Sequence, residues 1–382
     1  MADAVRTGAP VREQAALADY TTLRLGGPAR RLVEAATETE IVAEVRAADE
    51  RGEPLLVLGG GSNLVVADEG FPGTVVRVAT EGVSHRIAGH GQGRGPVELT
   101  VAAGEDWDAV VAGCVGEGLA GVECLSGIPG RAGATPIQNV GAYGQEVAER
   151  IISVRVYDRA RRAVTDLAGA DCGFGYRTSA FKRSLQTVPA AVTGRFVVLG
   201  VRFQLDRDHL SAPVRYPELA RALGVAEGGR APLAAVRSAV LGLRRGKGMV
   251  LDPGDPDTRS VGSFFLNPVL DGAQFAAVER AARAVAGPGT RVPRYPAGDG
   301  QVKVSAAWLI EQAGFRKGYP AEGAVTGPAG ARISSKHTLA LVNPGEATTA
   351  DLLALAREIR EGVRAAFGVE LASEPVLVGA GL

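Results

Sequence analysis

What this chain has little of narrows its chemistry before any motif is read. It holds three cysteines, Cys114, Cys124 and Cys172, in 382 residues. The count is odd and no pair has CxxC spacing, so neither a disulfide framework nor a thiolate metal site is written here. Buried free thiols in a reducing cytoplasm are the expectation. The four histidines are scattered without ligand spacing, so no metal is expected. Lys plus Arg and Asp plus Glu both total 42, which leaves no global attraction to nucleic acid or an anionic membrane. Basic residues gather only locally, at Arg159, Arg161 and Arg162 and at Arg244, Arg245 and Lys247, enough for one phosphate group. No apolar run approaches the ~20 residues of a spanning helix. Residues 1–14 lack the apolar core of a secretory signal, so none is expected. Internal repeats are absent. So are the dinucleotide fingerprint, since no GxGxxG opens a helix, and the P-loop, since Gly246-Lys247 has neither the upstream glycine nor the following Ser or Thr.

What is present is a globular composition, with 46% apolar and 22% charged residues, in a chain long enough for two or three domains. The organising stretch is Gly121 to Gln145, GVECLSGIPGRAGATPIQNVGAYGQ. Its glycines are wedged between Leu125, Ile128, Ile137 and Val140, which a disordered linker would not carry. Glycine in that setting means close backbone approach or positive φ, and successive N–H groups of such a turn form a nest for an anion. A tight loop packed on a core is the plainer alternative. A second glycine run, LGGGSNLVV from Leu58 to Val66, favours the cofactor reading.

The elements around these runs can be placed from pattern. Thr37 and Glu40 form a capping box ahead of Ile41, Val45 and Ala48, and Gly52 closes the helix. Leu55–Leu58 reads as a buried strand feeding the glycine loop, a small α/β unit with a nest at the strand's C-terminal end. Val75–Val78 and Val97–Ala102 read as strands around a Gly/His-rich hairpin extension, Ser84–Pro96. Asp106 caps a helix with Trp107, Val110, Val111, Cys114 and Val115 on its core face. Ile151–Tyr157, Arg162–Asp166 and Arg195–Leu205 alternate as strands do. A helix over Pro232–Arg245 leads to Gly246–Arg259, whose Gly, Pro and Asp density suggests a crossing between domains. Helices are expected near Gln274–Ala286, Ala306–Ala313 and Asp351–Phe367, a strand at Thr338–Val342, and a returning strand within Val369–Gly379.

Seven motifs in fixed order then carry a resemblance. They are TTLRLGGPA, LGGGSNLVV, SGIPG with PIQNVGAYG, YRTSAFK, GSFFLNP, WLIEQAG with GARISSKHTLALVN, and the terminal ASEPVLVG. From about Tyr20 to Gly379 the chain resembles the UDP-N-acetylenolpyruvoylglucosamine reductase (MurB) family. The tyrosine of APVRYPEL resembles that of type I, which carries an added loop over the substrate. The resemblance implies an α+β fold. Two α/β FAD-binding subdomains of vanillyl-alcohol-oxidase type (PCMH-like) are expected at 1–80, joined by the C-terminal strand 370–382, and at 81–247. A third, α+β domain at 248–369 would bind the substrate nucleotide. It further implies non-covalent FAD, no attachment histidine standing in the loops. Gly59, Gly60, Gly61, Ser62 and Asn63 would cradle the pyrophosphate. Ser126, Gly127, Ile128, Pro129, Gly130, Gly133, Gly141 and Ala142 would lie along the flavin. Two departures stand out. Arg131 and Ala134-Thr135 replace smaller or commoner residues after IPG, and two residues are inserted between Lys247 and Asp252.

The implied reaction takes UDP-N-acetylglucosamine enolpyruvate to UDP-N-acetylmuramate for peptidoglycan, with NADPH as hydride donor. Hydride reaches C3 from flavin N5 and a proton reaches C2. The charge that develops at C2 and its carboxylate calls for a fixed cation and a proton donor. By resemblance Arg177 meets the carboxylate and Ser263 gives the proton. Glu374 orients Arg177, polarises the substrate or protonates a neighbour. Tyr216, Lys247, Asn267 and Gln312 carry over as contacts to the diphosphate and sugar, Lys247 being the best supported physically as a point-charge phosphate binder. A surface ion pair for Arg177, a turn serine and a solvated strand-end carboxylate are the plain alternatives. A related FAD oxidase would need neither Ser263 nor Glu374, and a non-catalytic flavin or nucleotide-sugar module would need none of the three. A cytoplasmic monomer, without nucleic acid or membrane as partner, is expected.

Overall fold

A computed structural model describes residues 9–87, 95–186, 192–298, 300–320 and 330–382. They form two compact units that interleave in sequence. The first comprises the segment ending at Ala16, Pro28–Gly61 and Phe71–Arg245; the second comprises Leu17–Gly27, Ser62–Gly70 and Gly246–Leu382. The fold is α+β. Residues 88–94, within the expected hairpin extension, and 1–8, within the segment read for a signal, lie outside the described residues.

The first unit begins with a four-stranded sheet ordered Val11–Ala16, Pro28–Ala35, Phe71–Val78 and Leu55–Leu58. The last three run parallel, Ala35 beside Val78 and Leu58 beside Arg77, so their C-terminal ends share one edge. The glycine loop leaves from that edge, where ligands of parallel α/β sheets bind. The crossing helix Glu38–Glu50 starts at the expected capping box, Thr37 accepting from Glu40 N and Glu40 reaching back. It buries Ile41, Val45 and Ala48, spaced four and three apart, which sets one face toward the core. An antiparallel sheet follows, ordered Ala163–Ala168, Ile151–Asp158, Phe196–Arg207, Val97–Ala102 and Val83–Ile87, with Leu119–Ala120 on Phe196–Arg207. The Trp107–Gly116 helix, capped by Asp106, packs its Trp107 ring 5.6 Å from Phe203. One core joins Ile41 and Val45 to Val154, Val156 and Trp107.

The second unit holds a three-stranded sheet ordered Ser260–Ser263, Ala340–Val342 and Arg332–Ile333. A smaller sheet is made of Val269–Leu270, Val302–Val304 and Arg294–Pro296. The Thr349–Phe367 helix buries Leu352, Leu355, Ile359 and Val363, the face its periodicity predicts. Val376–Val378 pairs parallel with Leu64–Val66. Buried Asn343 donates to Leu23 O at 3.0 Å, and the Thr22 hydroxyl donates to Ser260 O at 2.6 Å. TTLRLGG is therefore bonded to the strand that carries Ser263. The stretch read as a crossing, Gly246–Arg259, is one only at its start. From Asp252 it is folded into the second unit around Pro256–Thr258, because its aspartates find partners there.

Candidate active site

In the first unit the two glycine runs meet. A Cβ on Gly60 would stand 2.8 Å from Gly130 Cα, so the loops approach backbone to backbone. Gly61, Gly127 and Gly130 have φ of +61°, +72° and +124°, values that glycine adopts freely. The second loop is bonded on its protein side. Gly130 O accepts from Trp107 N at 3.1 Å, the Ser126 hydroxyl donates to Glu123 O at 2.7 Å, and Gly127 N donates to Asp108 at 2.6 Å. Asp108 also takes two bonds from Arg237, at 2.6 and 3.0 Å. Burial works to raise its carboxyl, but Arg237 and Gly127 outweigh it and hold the group below its ordinary value. Ile128 packs on the core and Pro129 spans to Gly130. Arg131, one of the departures, lays its stem along Gly59 and donates to Gly104 O at 3.2 Å. Gly133 is small for a packing reason: a Cβ there would meet Ala103 Cβ at 2.5 Å.

Arg177 sits at the second corner of a tight turn closed by Gly175 N to Thr178 O, 3.0 Å, and Thr178 N to Gly175 O, 3.2 Å. Its φ is +51°, unusual for a residue with a side chain and the kind of outlier found at functional sites. The guanidinium donates to Gly141 O at 2.6 Å and Asn139 O at 3.4 Å, and a Cβ on Gly141 would crowd it at 3.0 Å. The hairpin over Ala142–Gln145 turns through Tyr143 and Gly144 at φ +49° and +83°, the mirror-image turn that suits twisted strands. The Tyr143 ring meets Tyr216 edge-on at 5.4 Å. Burial pushes the Tyr143 phenol up to about 12. Tyr216 is 41% exposed at the start of the Pro217–Leu223 helix, in reach of solvent and of anything entering from it.

In the second unit Ser263 lies at an irregularity in the Ser260–Ser263 strand, next to Gly262 at φ +75°. Such bulges re-aim a side chain. The buried Phe264 and Phe265 anchor the strand, their rings 5.1 Å apart. Phe264 O accepts from Glu374 N at 2.8 Å, and Leu266 N donates to Ala372 O at 2.9 Å. Ser263 and Glu374 are thus held on adjoining backbone. Asn63 O accepts from Val376 N at 3.0 Å, which brings Ser62-Asn63 beside the same C-terminal segment. Asn267 accepts from Ala306 N at 2.9 Å at the start of the Ala306–Gln312 helix. Gln312 is at the other end, about 9 Å along the axis. These two are not brought together, whereas Ser263 with Glu374 and Arg177 with Gly141 and Ala142 are. Lys247, half-buried, precedes Gly248 in the second unit; Arg177 and Tyr216 belong to the first.

The residue that pattern reading missed is Asn139. It is buried at φ +46° and donates to the Glu146 carboxylate at 2.7 Å and to Gly175 O at 3.0 Å, while accepting from Ala148 N at 3.2 Å. It holds the Arg177 turn to the Gly141 hairpin. An asparagine among glycines signals left-handed backbone, and that signal was available in NVGAYG. The three cysteines are buried and unpaired, with thiols pushed up by burial, Cys114 to about 12 and Cys172 to about 11. No described helix is long and apolar enough to cross a membrane.

Comparison with known proteins meets this geometry. Residues 255–378 match the family described as UDP-N-acetylenolpyruvoylglucosamine reductase, C-terminal domain, and residues 29–165 match a FAD binding domain. A Thermobifida fusca protein named UDP-N-acetylenolpyruvoylglucosamine reductase is 58% identical over 363 residues, 95% of this chain and 96% of its own. One of the same name from Saccharopolyspora erythraea is 57% identical over 382 residues, covering 100% and 99%. The crystal structure of the reductase from Thermus caldophilus aligns with a TM-score of 0.60 at 26% identity, covering 97% of this chain and 98% of that one.

Proposed function

The chain belongs to the UDP-N-acetylenolpyruvoylglucosamine reductase family, and from that premise we propose how its residues share the reaction. It is an FAD-containing oxidoreductase of peptidoglycan precursor synthesis, reducing UDP-N-acetylglucosamine enolpyruvate with NADPH as co-substrate. The residues fit the cofactor. Gly60 and Gly130 leave a backbone-lined gap that a Cβ would fill, and Gly59–Asn63 open from the sheet edge where a pyrophosphate binds. We assign FAD to residues 1–80 and 81–247 and the nucleotide to residues 248–369. The pairing of Val376–Val378 with Leu64–Val66 supports a return of 370–382 to the first segment.

With FAD held there, C3 of the enolpyruvyl group would receive a hydride that originates from NADPH. The protein's task is the charge that appears at C2 and its carboxylate. Arg177 binds the carboxylate, its fork pre-oriented by Gly141 O and by the Gly175–Thr178 turn. Ser263 gives its hydroxyl proton to C2, and Glu374, whose N–H bonds to the neighbouring Phe264 O, polarises the substrate. Lys247 takes the diphosphate as a point charge, Tyr216 closes over it against Tyr143, and Asn267 and Gln312 contact the sugar side. The protein acts as a monomer in the cytoplasm.

The observation that supports this assignment is the bond from Glu374 N to Phe264 O, which joins the backbones of two distant segments at the residue after Ser263. Ser263→Ala tests it. Flavin content and stopped-flow bleaching by NADPH should stay near wild type, because that half-cycle needs no protonated carbon. Reoxidation by the enolpyruvyl nucleotide should slow by ~10²-fold or more, the scale of a lost general acid. Equal slowing of both halves would make Ser263 a structural or binding residue.

A further inference from the structure

Between Lys247 and Ser263 the chain turns around one buried carboxylate that the mechanism does not use. Asp257 is 2% exposed. One oxygen accepts from the Arg332 guanidinium at 3.2 Å. The other accepts from the Ser334 hydroxyl at 3.1 Å, Ser335 N at 3.1 Å and the Ser335 hydroxyl at 2.5 Å. Burial works to raise this carboxyl, and the two serines and Arg332 together bring it below its ordinary value. It is therefore a charged, fully engaged group.

Its placement in the sheet is what matters. Asp257 stands just before Ser260–Ser263, the first strand in the order Ser260–Ser263, Ala340–Val342, Arg332–Ile333. Its partners lie on and after the third strand, so the carboxylate clamps the two outer strands across the middle one. Lys336 to Asp255 adds a second tie beside it. On the other side, Gly248 is at φ +65°, and a Cβ there would stand 3.3 Å from both Asp257 Cβ and its carbonyl oxygen. Lys247 thus enters the unit with its next residue packed directly on Asp257.

We propose that Asp257 is a positioning residue, fixing Lys247 and Ser263 in one frame by bracing the strand of Ser263 across its sheet. This rests on the roles given above to those two residues. The brace converts a stretch of Gly, Pro and Asp into a rigid support, and reacting groups misplaced by about 1 Å can cost two orders of magnitude in rate.

The test uses the FAD-loaded full chain with Asp257→Asn, Ser335→Ala and Ser263→Ala in parallel. For Asp257→Asn, flavin per chain is expected to be unchanged. The Kd of UDP-N-acetylglucosamine enolpyruvate, read from the flavin spectrum, should rise ~3- to 10-fold, and reoxidation of dithionite-reduced enzyme at saturating substrate should slow ~10-fold. Ser335→Ala removes one donor, leaves the others, and should move both readouts the same way by a smaller factor. A brace that serves stability alone would lower the melting temperature and leave both readouts at wild type, which overturns the proposal. If Ser263→Ala slows reoxidation while neither brace variant does, this inference falls alone. If Ser263→Ala also leaves it unchanged, the assignment of the site falls with it.

Discussion

Gly60→Ala adds one methyl group where the two glycine runs touch. The new Cβ would lie 2.8 Å from Gly130 Cα and 3.2 Å from its carbonyl carbon. Carbon atoms in good contact stand at ~3.5–4.0 Å, so the loops must part by roughly 1 Å. Both offending atoms are backbone and cannot swing aside as a side-chain end would. Overpacking of this kind costs about 1–3 kcal/mol. If all of it appears in cofactor binding, the Kd for FAD rises ~5- to 150-fold. The assay is titration of flavin-free protein with FAD, followed by quenching of flavin fluorescence, with denaturant unfolding of the same protein to catch any share lost as stability. Gly113→Ala is the matched control. Gly113 lies in the Trp107–Gly116 helix and a Cβ there meets nothing within 4 Å. It should leave FAD binding unchanged and stabilise by about 0.5–1 kcal/mol. Wild-type affinity and stability in Gly60→Ala would refute the claim that this approach shapes the cofactor site.

Other outcomes follow from the same geometry. Tyr216→Phe keeps the ring beside Tyr143 and removes one hydroxyl, so it should chiefly raise the KM for the nucleotide substrate and leave flavin bleaching by NADPH little changed; an unaltered KM would contradict the assignment. Acid or heat precipitation should release all flavin fluorescence to the supernatant, and flavin left on the washed pellet would contradict non-covalent binding. Asp158 accepts from Arg195 at 2.6 and 2.8 Å, which together with backbone N–H groups lowers its carboxyl against burial. A depressed folded-state value means its stabilisation is present above the unfolded-state value near 3.9 and is lost as pH falls below it. Asp158→Asn should therefore flatten the acid limb of a stability–pH curve and leave the neutral-to-basic limb unchanged in slope.

Much of the scaffold was legible because its signals are local. Thr37 and Glu40 announce the Glu38–Glu50 helix, and Leu55–Leu58 has the length and apolarity of a buried strand. The glycine runs stand out in the sequence, but it does not sort them by what each glycine avoids. Gly60 makes room for Gly130, whereas Gly133 makes room for Ala103, a neighbour from another strand end. Gly246–Arg259 reads as linker because turn residues dominate it. The partners that fold it, Arg332 and Ser334-Ser335, stand far along the chain and share no periodicity with it. Asn139 escaped for the same reason: its bonds run to Glu146, Ala148 and Gly175, and only the last places it near Arg177. Arg177 and Ser263 are singled out through motif order, which carries long-range information that pattern alone does not.

The second unit is assembled from Leu17–Gly27, Ser62–Gly70 and everything from Gly246 on. During synthesis the chain grows from its N-terminus, so the order of completion is fixed by this threading. Once Arg245 has left the ribosome, every segment of the first unit is present and its sheets can close. Leu64–Val66 must then wait for Val376–Val378, and Leu23 for Asn343. At ~5–20 residues per second that wait lasts on the order of ten seconds. For that interval Leu23, Leu25 and Val65, all destined for the second core, remain on the nascent chain without the residues that will bury them. Exposed apolar surface of that kind is what holding chaperones bind, and translation that stalls between residues 246 and 376 would leave the first unit complete in sequence and the second without its last segment.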